Sequence, residues 1–163
     1  MNFKERDFIP MLFGGDINTY SVARAFYEEY QVKTYVFGKF PSGPSYNSNI
    51  IEYHADLKID TDDVFMKTVR DFAAAHADKT VLTIGCGDSY VELCSRHKDE
   101  MPENVVAPYI DLELMDKLQQ KELFYRLCRE HDIDFPDTLV FRYGMDLDFE
   151  LPFSFPVILK PFN

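Results

Sequence analysis

Two short apolar runs in this chain each stop at a glycine turn and pass at once into a helical pattern. Phe8-Ile9-Pro10-Met11-Leu12-Phe13 ends at Gly14-Gly15, and Thr80-Val81-Leu82-Thr83-Ile84 ends at Gly85-Cys86-Gly87-Asp88. After the first, Asn18 or Asp16 caps a helix to about Tyr30, with Val22, Ala25, Phe26 and Tyr30 on one face. After the second, a shorter helix runs from about Ser89 to His97. Between them lie a β-branched and aromatic strand from Val32 to Phe37 and a short strand from Ile50 to Tyr53. A helix then opens at Thr61 or Asp62 with Val64, Phe65, Thr68, Val69 and Phe72 as its buried stripe, fading near His76. Asn104 to Ala107 is one more strand-like run. Strands alternating with helices, joined by tight glycine turns, predict a parallel sheet with helices on its faces.

The expected architecture is therefore α/β, a Rossmann-like open parallel sheet over residues 1–110. Pro10 fits such a sheet best near an edge, because proline cannot donate to a strand ladder. The segment from Gly38 to Asn49, rich in Gly, Pro, Ser and Asn, reads as a loop.

Composition narrows the function. The chain has 163 residues, with 17 Lys plus Arg against 28 Asp plus Glu, for a net charge of −11. An acidic surface disfavours nucleic acid and anionic membranes, which need clustered cations. An apolar fraction of 46%, with 15 Phe and 10 Tyr, demands a real core. No run approaches the ~20 apolar residues of a membrane span, and the N-terminus lacks the features of a signal peptide. Cys86, Cys94 and Cys128 are an odd count without a C-x-x-C pair, which fits a reducing cytoplasm.

The character changes after Pro108. Leu112 to Glu130 reads as one long charged helix with Met115, Leu118, Leu123, Phe124, Leu127 and Cys128 apolar. A turn at Phe135-Pro136-Asp137-Thr138 leads to a strand from Leu139 to Arg142, and Phe155-Pro156-Val157-Ile158-Leu159-Lys160-Pro161 is a strong strand pattern. One helix and two strands make a poor core by themselves, so the chain is expected to stop inside a second domain, residues 111–163.

Ligands in open α/β sheets bind at the carboxyl ends of the strands. Those ends carry Gly14, Gly15, Asp16, Asn18, Thr19 and Ser21 in the first turn, and Gly85 and Gly87 in the other. The dinucleotide spacing fails, since Asp16 and Thr19 stand where glycines are required. Asp16 would also repel a pyrophosphate. The first turn could still offer backbone N–H groups and hydroxyls to a small carboxylate, or be only a tight turn. Cys86 before a helix invites a nucleophile role, but His97 is a poor base at the far end of that helix, and a small residue in a crowded turn is the plainer account. Cys94 and His97 share a helix face, yet two ligands do not make a zinc site. Asp60, Asp62 and Asp63 fit a helix start rather than a cation site. Lys121 precedes an apolar helical stripe and Lys160 closes an apolar run; each either snorkels to solvent or meets an anion such as phosphate.

Lys121-Glu-Leu-Phe-Tyr-Arg-Leu-Cys-Arg-Glu-His-Asp-Ile-Asp-Phe-Pro-Asp-Thr138 and Phe155-Pro-Val-Ile-Leu-Lys160-Pro161 resemble the opening of an ATP-grasp domain. The departure is at His131-Asp132-Ile133, where the family usually has Gly before Ile. Phe13-Gly-Gly-Asp-Ile-Asn-Thr-Tyr-Ser-Val-Ala-Arg24, with the turn at Gly85 to Asp88, resembles the pre-ATP-grasp domain of bacterial carboxylate–amine ligases, D-aspartate ligases among them.

The resemblance implies an ATP- and Mg2+-dependent ligase that joins a carboxylate to an amine through an acyl phosphate. An amino acid and a peptidoglycan precursor are the implied substrates. Lys121 and Lys160 would contact ATP phosphates, and the turns at Gly14 to Ser21 and Gly85 to Gly87 would face the substrates. The family's metal ligands and catalytic groups fall beyond residue 163, so these residues alone are expected to be inactive. Alternatives are a stand-alone α/β module that binds a small ligand without catalysis, or a relative that makes carbamoyl phosphate. Edges of an incomplete second domain could pair with another chain to form a homo-oligomer.

Overall fold

The structure is a computed structural model describing residues 2–41, 43–146, 148 and 150–160. The chain divides into two compact units, Met1–Leu112 and Glu113–Asn163.

In the first unit, strands β1 (Phe8–Phe13), β2 (Thr34–Gly38), β3 (Ile51–Ala55), β4 (Thr80–Gly85) and β5 (Val105–Val106) form a five-stranded sheet in the order β3-β2-β1-β4-β5. Every pairing is parallel. This is the Rossmann-like arrangement that the strand–turn–helix alternation predicts. Helices α1 (Ile17–Tyr30), α3 (Asp62–Ala75) and α4 (Asp88–His97) supply the crossovers, with a short helical turn α2 (Gly43–Tyr46) in the loop after β2.

Side chains alternate across β1, and the core divides accordingly. Ile9, Met11 and Phe13 point to one face, where they pack with Phe65, Val69, Val81 and Leu93. Leu12 points to the other, with Ala23, Val36, Ile50 and Ile51. A strand covered on both faces reads as a continuous apolar run, which is why FIPMLF shows no polar alternation.

β1 is central, so the expectation that Pro10 sits near an edge is overturned. The Gly14 N–H donates to the Phe37 carbonyl of β2 at 2.9 Å. Stepping back two residues at a time along β1, the nitrogen of Pro10 points to the same side. The β1–β2 register begins only at Met11↔Tyr35, so the missing donor falls just ahead of that ladder.

The loop after β2 is more structured than its composition suggests. The buried Ser45 hydroxyl donates to the Asp16 carbonyl at 3.2 Å, tying α2 to the turn after β1.

The second unit departs further from expectation. The predicted single helix is two, α5 (Leu112–Gln119) and α6 (Lys121–Glu130), separated at Gln120, whose backbone is extended (φ −77°, ψ 110°). In one continuous helix, at about 100° per residue, Met115 and Leu118 would face roughly opposite Leu123, Phe124, Leu127 and Cys128, so a break lets each stripe turn separately. After α6, Asp132 takes a left-handed conformation (φ 52°) and the Ile133 N–H closes on the Cys128 carbonyl at 2.8 Å. Asp132 is the residue that stands where the resembling family has Gly, and glycine adopts that conformation without strain.

The strands expected at Leu139–Arg142 and from Phe155 to Lys160 are absent among the described residues. Ile158 and Leu159 are 83% and 96% exposed. A β pattern becomes a strand only where a neighbour completes its backbone hydrogen bonds, and no ladder reaches these segments. Pro161 lies outside the described residues.

Candidate functional site

Strand order reverses at β1: the chain moves outward through β2 and β3, then returns to lay β4 on the other side of β1. The loops leaving β1 and β4 therefore diverge, and a crevice opens at their carboxyl ends. A cavity of about 510 Å3 lies there.

Its first wall is the turn Gly14-Gly15-Asp16. Gly14 has φ +142°, and a β-carbon on it would stand 2.3 Å from the Thr19 hydroxyl. Asp16 caps α1: its carboxylate accepts from the N–H groups of Asn18 and Thr19, both at 3.1 Å, and from the Thr19 hydroxyl at 3.2 Å. The N–H groups that could have met a ligand carboxylate are thus turned toward Asp16. Asn18 places its side-chain amide on the same carboxylate at 3.4 Å, and Ser21 donates to the Ile17 carbonyl of its own helix at 2.8 Å. Thr19 is fully buried. Asn18, Thr19 and Ser21 do not line the cavity; Gly14, Gly15 and Asp16 do.

The second wall comes from the end of β2 and the loop after it, with Lys39, Phe40 and Gly43. Lys39 pairs with Asp60 at 2.6 Å, and the two side chains are 39% and 29% exposed. Tyr53 rises from β3 and donates its hydroxyl to the Phe40 carbonyl at 2.8 Å. Gly15 and Gly38 make room for it: β-carbons there would stand 2.5 and 2.1 Å from the Tyr53 oxygen. Burial raises the Tyr53 phenol above its ordinary value.

The third wall is the turn after β4, with Cys86, Gly87 and Tyr90. Gly85 stands behind it rather than in it. A β-carbon there would meet the Tyr90 and Val91 backbone at 2.6 Å, so glycine is what lets α4 start directly on the strand. The Gly85 N–H is spent on the Tyr109 hydroxyl at 2.7 Å. Burial, then the nearby Asp60 and Tyr53, push the Tyr90 phenol up to about 12.

Cys86 is not set up as a nucleophile. Burial, partly offset by the Thr19 hydrogen bond, holds its thiol up at about 11, so almost none is thiolate at neutral pH. His97 spends its ring nitrogens on Asp62 at 2.7 Å and Glu100 at 3.3 Å. The three cysteines are all free. Asp62 serves Arg96 and His97, and Asp60 serves Lys39, so two of the three clustered aspartates join ion pairs. Among the described residues no three His, Cys, Asp or Glu are grouped to hold a metal ion, and no helix is long and apolar enough to cross a membrane.

Lys121 and Lys160 belong to the second unit, Lys121 half-buried at the first turn of α6 and Lys160 exposed outside any helix or strand. Sequence reasoning missed Lys39, Tyr53 and Tyr90. Lys39 directly follows the last residue of β2, so the strand-end rule applied to β2 as well as to β1 and β4 would have found it.

No family model matches the chain, and no solved structure matches it. The chain is 39% identical over 169 residues to the D-aspartate ligase of Enterococcus faecium (strain Aus0004), in an alignment taking in 99% of this chain and 40% of that protein. The chain thus spans about two-fifths of the length of the curated relative it matches. What the comparison shows is similarity, along nearly the whole of this chain, to that part of a D-aspartate ligase.

Proposed function

We propose that this chain is part of an ATP-dependent carboxylate–amine ligase of the ATP-grasp type, acting on an amino acid as D-aspartate ligase does. The observation that carries the reading is the 39% identity along 99% of the chain. The cavity at the strand-order reversal supports it, because a small-molecule enzyme of this architecture works at that place.

In this reading the first unit receives substrate between the turns at Gly14 to Asp16 and Cys86 to Gly87. The second unit begins the nucleotide site. ATP with Mg2+ supplies the phosphoryl group that activates the carboxylate, after which an amine displaces phosphate and an amide forms. Lys121, half-buried, and Lys160, exposed, suit phosphate as compact cations and would offset charge on the transferred group. The amine donor is an amino group on a peptidoglycan precursor.

The test is phosphate release by the complete protein with Mg2+-ATP, an array of amino acids of both configurations, and a peptidoglycan precursor. The proposal predicts release that needs both a particular amino acid and the amine, and that falls on the order of a hundredfold or more in Lys160→Ala. Release that no pair stimulates would refute it.

A further inference from the structure

The cavity carries opposite charges on two of its walls, and that polarity constrains its ligand. Asp16 stands on the first wall with its carboxylate on the N–H groups of Asn18 and Thr19, the place a phosphate would need. A phosphate or pyrophosphate there would meet a fixed negative charge and find those donors taken. On the second wall stands Lys39, the one positively charged side chain among the described residues that line the cavity. Its partner Asp60 does not line the cavity, and the pair is half-buried, at 39% and 29% exposure. Both side chains still reach water, and an ammonium has three donors, so Lys39 can share itself between Asp60 and an incoming carboxylate. Between these poles the surface is neutral and largely apolar, made of Phe40, Tyr53 and Tyr90 with glycine backbone.

We propose that the cavity binds a small zwitterion of the amino-acid class, its carboxylate on Lys39 and its ammonium toward Asp16, and that Lys39 is the residue that selects for the carboxylate. This deepens the ligase reading but does not need ATP to be examined. A dicarboxylate would satisfy Lys39 and be repelled by Asp16. An amino alcohol would satisfy Asp16 and leave Lys39 with Asp60.

The experiment is calorimetric titration of the protein, without nucleotide, with D-aspartate, L-aspartate, L-alanine, succinate and 2-aminoethanol. The expected result is binding of at least one of the three amino acids, with succinate and 2-aminoethanol weaker by on the order of tenfold or more. Lys39→Gln should weaken that amino acid by a similar factor, Lys39→Arg should restore part of the loss, and Asp60→Asn should leave affinity equal or tighter. Asp16→Asn keeps a capping side chain while removing the charge, so it should weaken the amino acid without unfolding α1. Circular dichroism of each variant separates lost binding from lost fold.

Equal binding of succinate, unchanged affinity in Lys39→Gln, or no binding by any of the five compounds would each overturn the proposal. The two readings fail separately. Amine-dependent phosphate release whose KM for the amino acid is unmoved in Lys39→Gln leaves the ligase and removes this role for Lys39. Zwitterion binding that needs Lys39, in a protein releasing no phosphate with any pair, leaves this site and removes the ligase.

Discussion

Asp16 and Thr19 hold each other twice: the Asp16 carboxylate accepts the Thr19 backbone N–H at 3.1 Å and the Thr19 hydroxyl at 3.2 Å. The same carboxylate closes the start of α1 and sets the charge of one cavity wall. Asp16→Ala should therefore lower stability by about 1 kcal/mol, the usual cost of a lost N-cap, with Asp16→Asn close to wild type. Urea unfolding followed by circular dichroism checks the order of the three proteins.

Gly15 and Gly38 both border Tyr53, but they should respond differently to its truncation. A β-carbon at Gly15 meets the Tyr53 hydroxyl at 2.5 Å, whereas one at Gly38 meets that oxygen at 2.1 Å and the Gly14 carbonyl at 2.2 Å. Gly15→Ala and Gly38→Ala should each cost roughly 1–3 kcal/mol, as overpacking does. Adding Tyr53→Phe should recover much of the first loss and little of the second, because backbone cannot step aside. A double-mutant cycle on the two pairs gives the comparison.

Much of this arrangement is legible in sequence, and the exceptions share a cause. β1, α1 and the glycine turns are written locally, in apolar runs, caps and spacing. The parallel order follows from alternation alone. Tyr53 was not legible as a site residue because its meeting with Gly15 depends on how β2 and β3 stack beside β1, whereas Lys39 needed only the strand-end rule applied to β2. Ser45 likewise looks like loop composition until its hydroxyl reaches the Asp16 carbonyl. Phe155 to Lys160 fails in the opposite sense: its β pattern is strong, but a strand needs a neighbour, and among the described residues it has none. Gln120 carries no local breaker signal, and the break there shows only when the two apolar stripes are compared in phase.

Asp62 ties the start of α3 to the end of α4. The Arg96 guanidinium first, and His97 second, hold its carboxyl below the ordinary value. A carboxyl with a depressed folded value contributes stability that is present above its unfolded value, about 4, and is lost as pH falls through the folded one. Stability should therefore drop below about pH 4, and Arg96→Gln should flatten part of that drop. Denaturation midpoints between pH 2 and 6 measure it; identical profiles for the two proteins would exclude this pair as a cause.

With its thiol held up at about 11, Cys86 should react slowly with iodoacetamide at pH 7.5 and accelerate only as the solution nears that value. Mass spectrometry of the Cys86 peptide follows the rate. Cys86→Ala in the complete protein should not abolish phosphate release, since a buried, protonated thiol on the cavity wall has no chemical step to perform.

Asp132 sits at φ 52° after α6, where glycine pays no side-chain strain. Asp132→Gly should raise the stability of the protein by up to ~1 kcal/mol. Thermal unfolding of the pair reads the sign.

The most direct test of the central claim follows an oxygen atom. D-Aspartate labelled with 18O in its carboxylates is supplied to the complete protein with Mg2+-ATP and a peptidoglycan precursor, and the released phosphate is weighed by mass spectrometry. If a carboxylate oxygen attacks the γ-phosphorus and an amine then displaces phosphate at carbon, each phosphate leaves with one labelled oxygen and one amide forms. The expected result is that single label, in step with the amide. Amide formed with unlabelled phosphate, or no amide and no release, would contradict it.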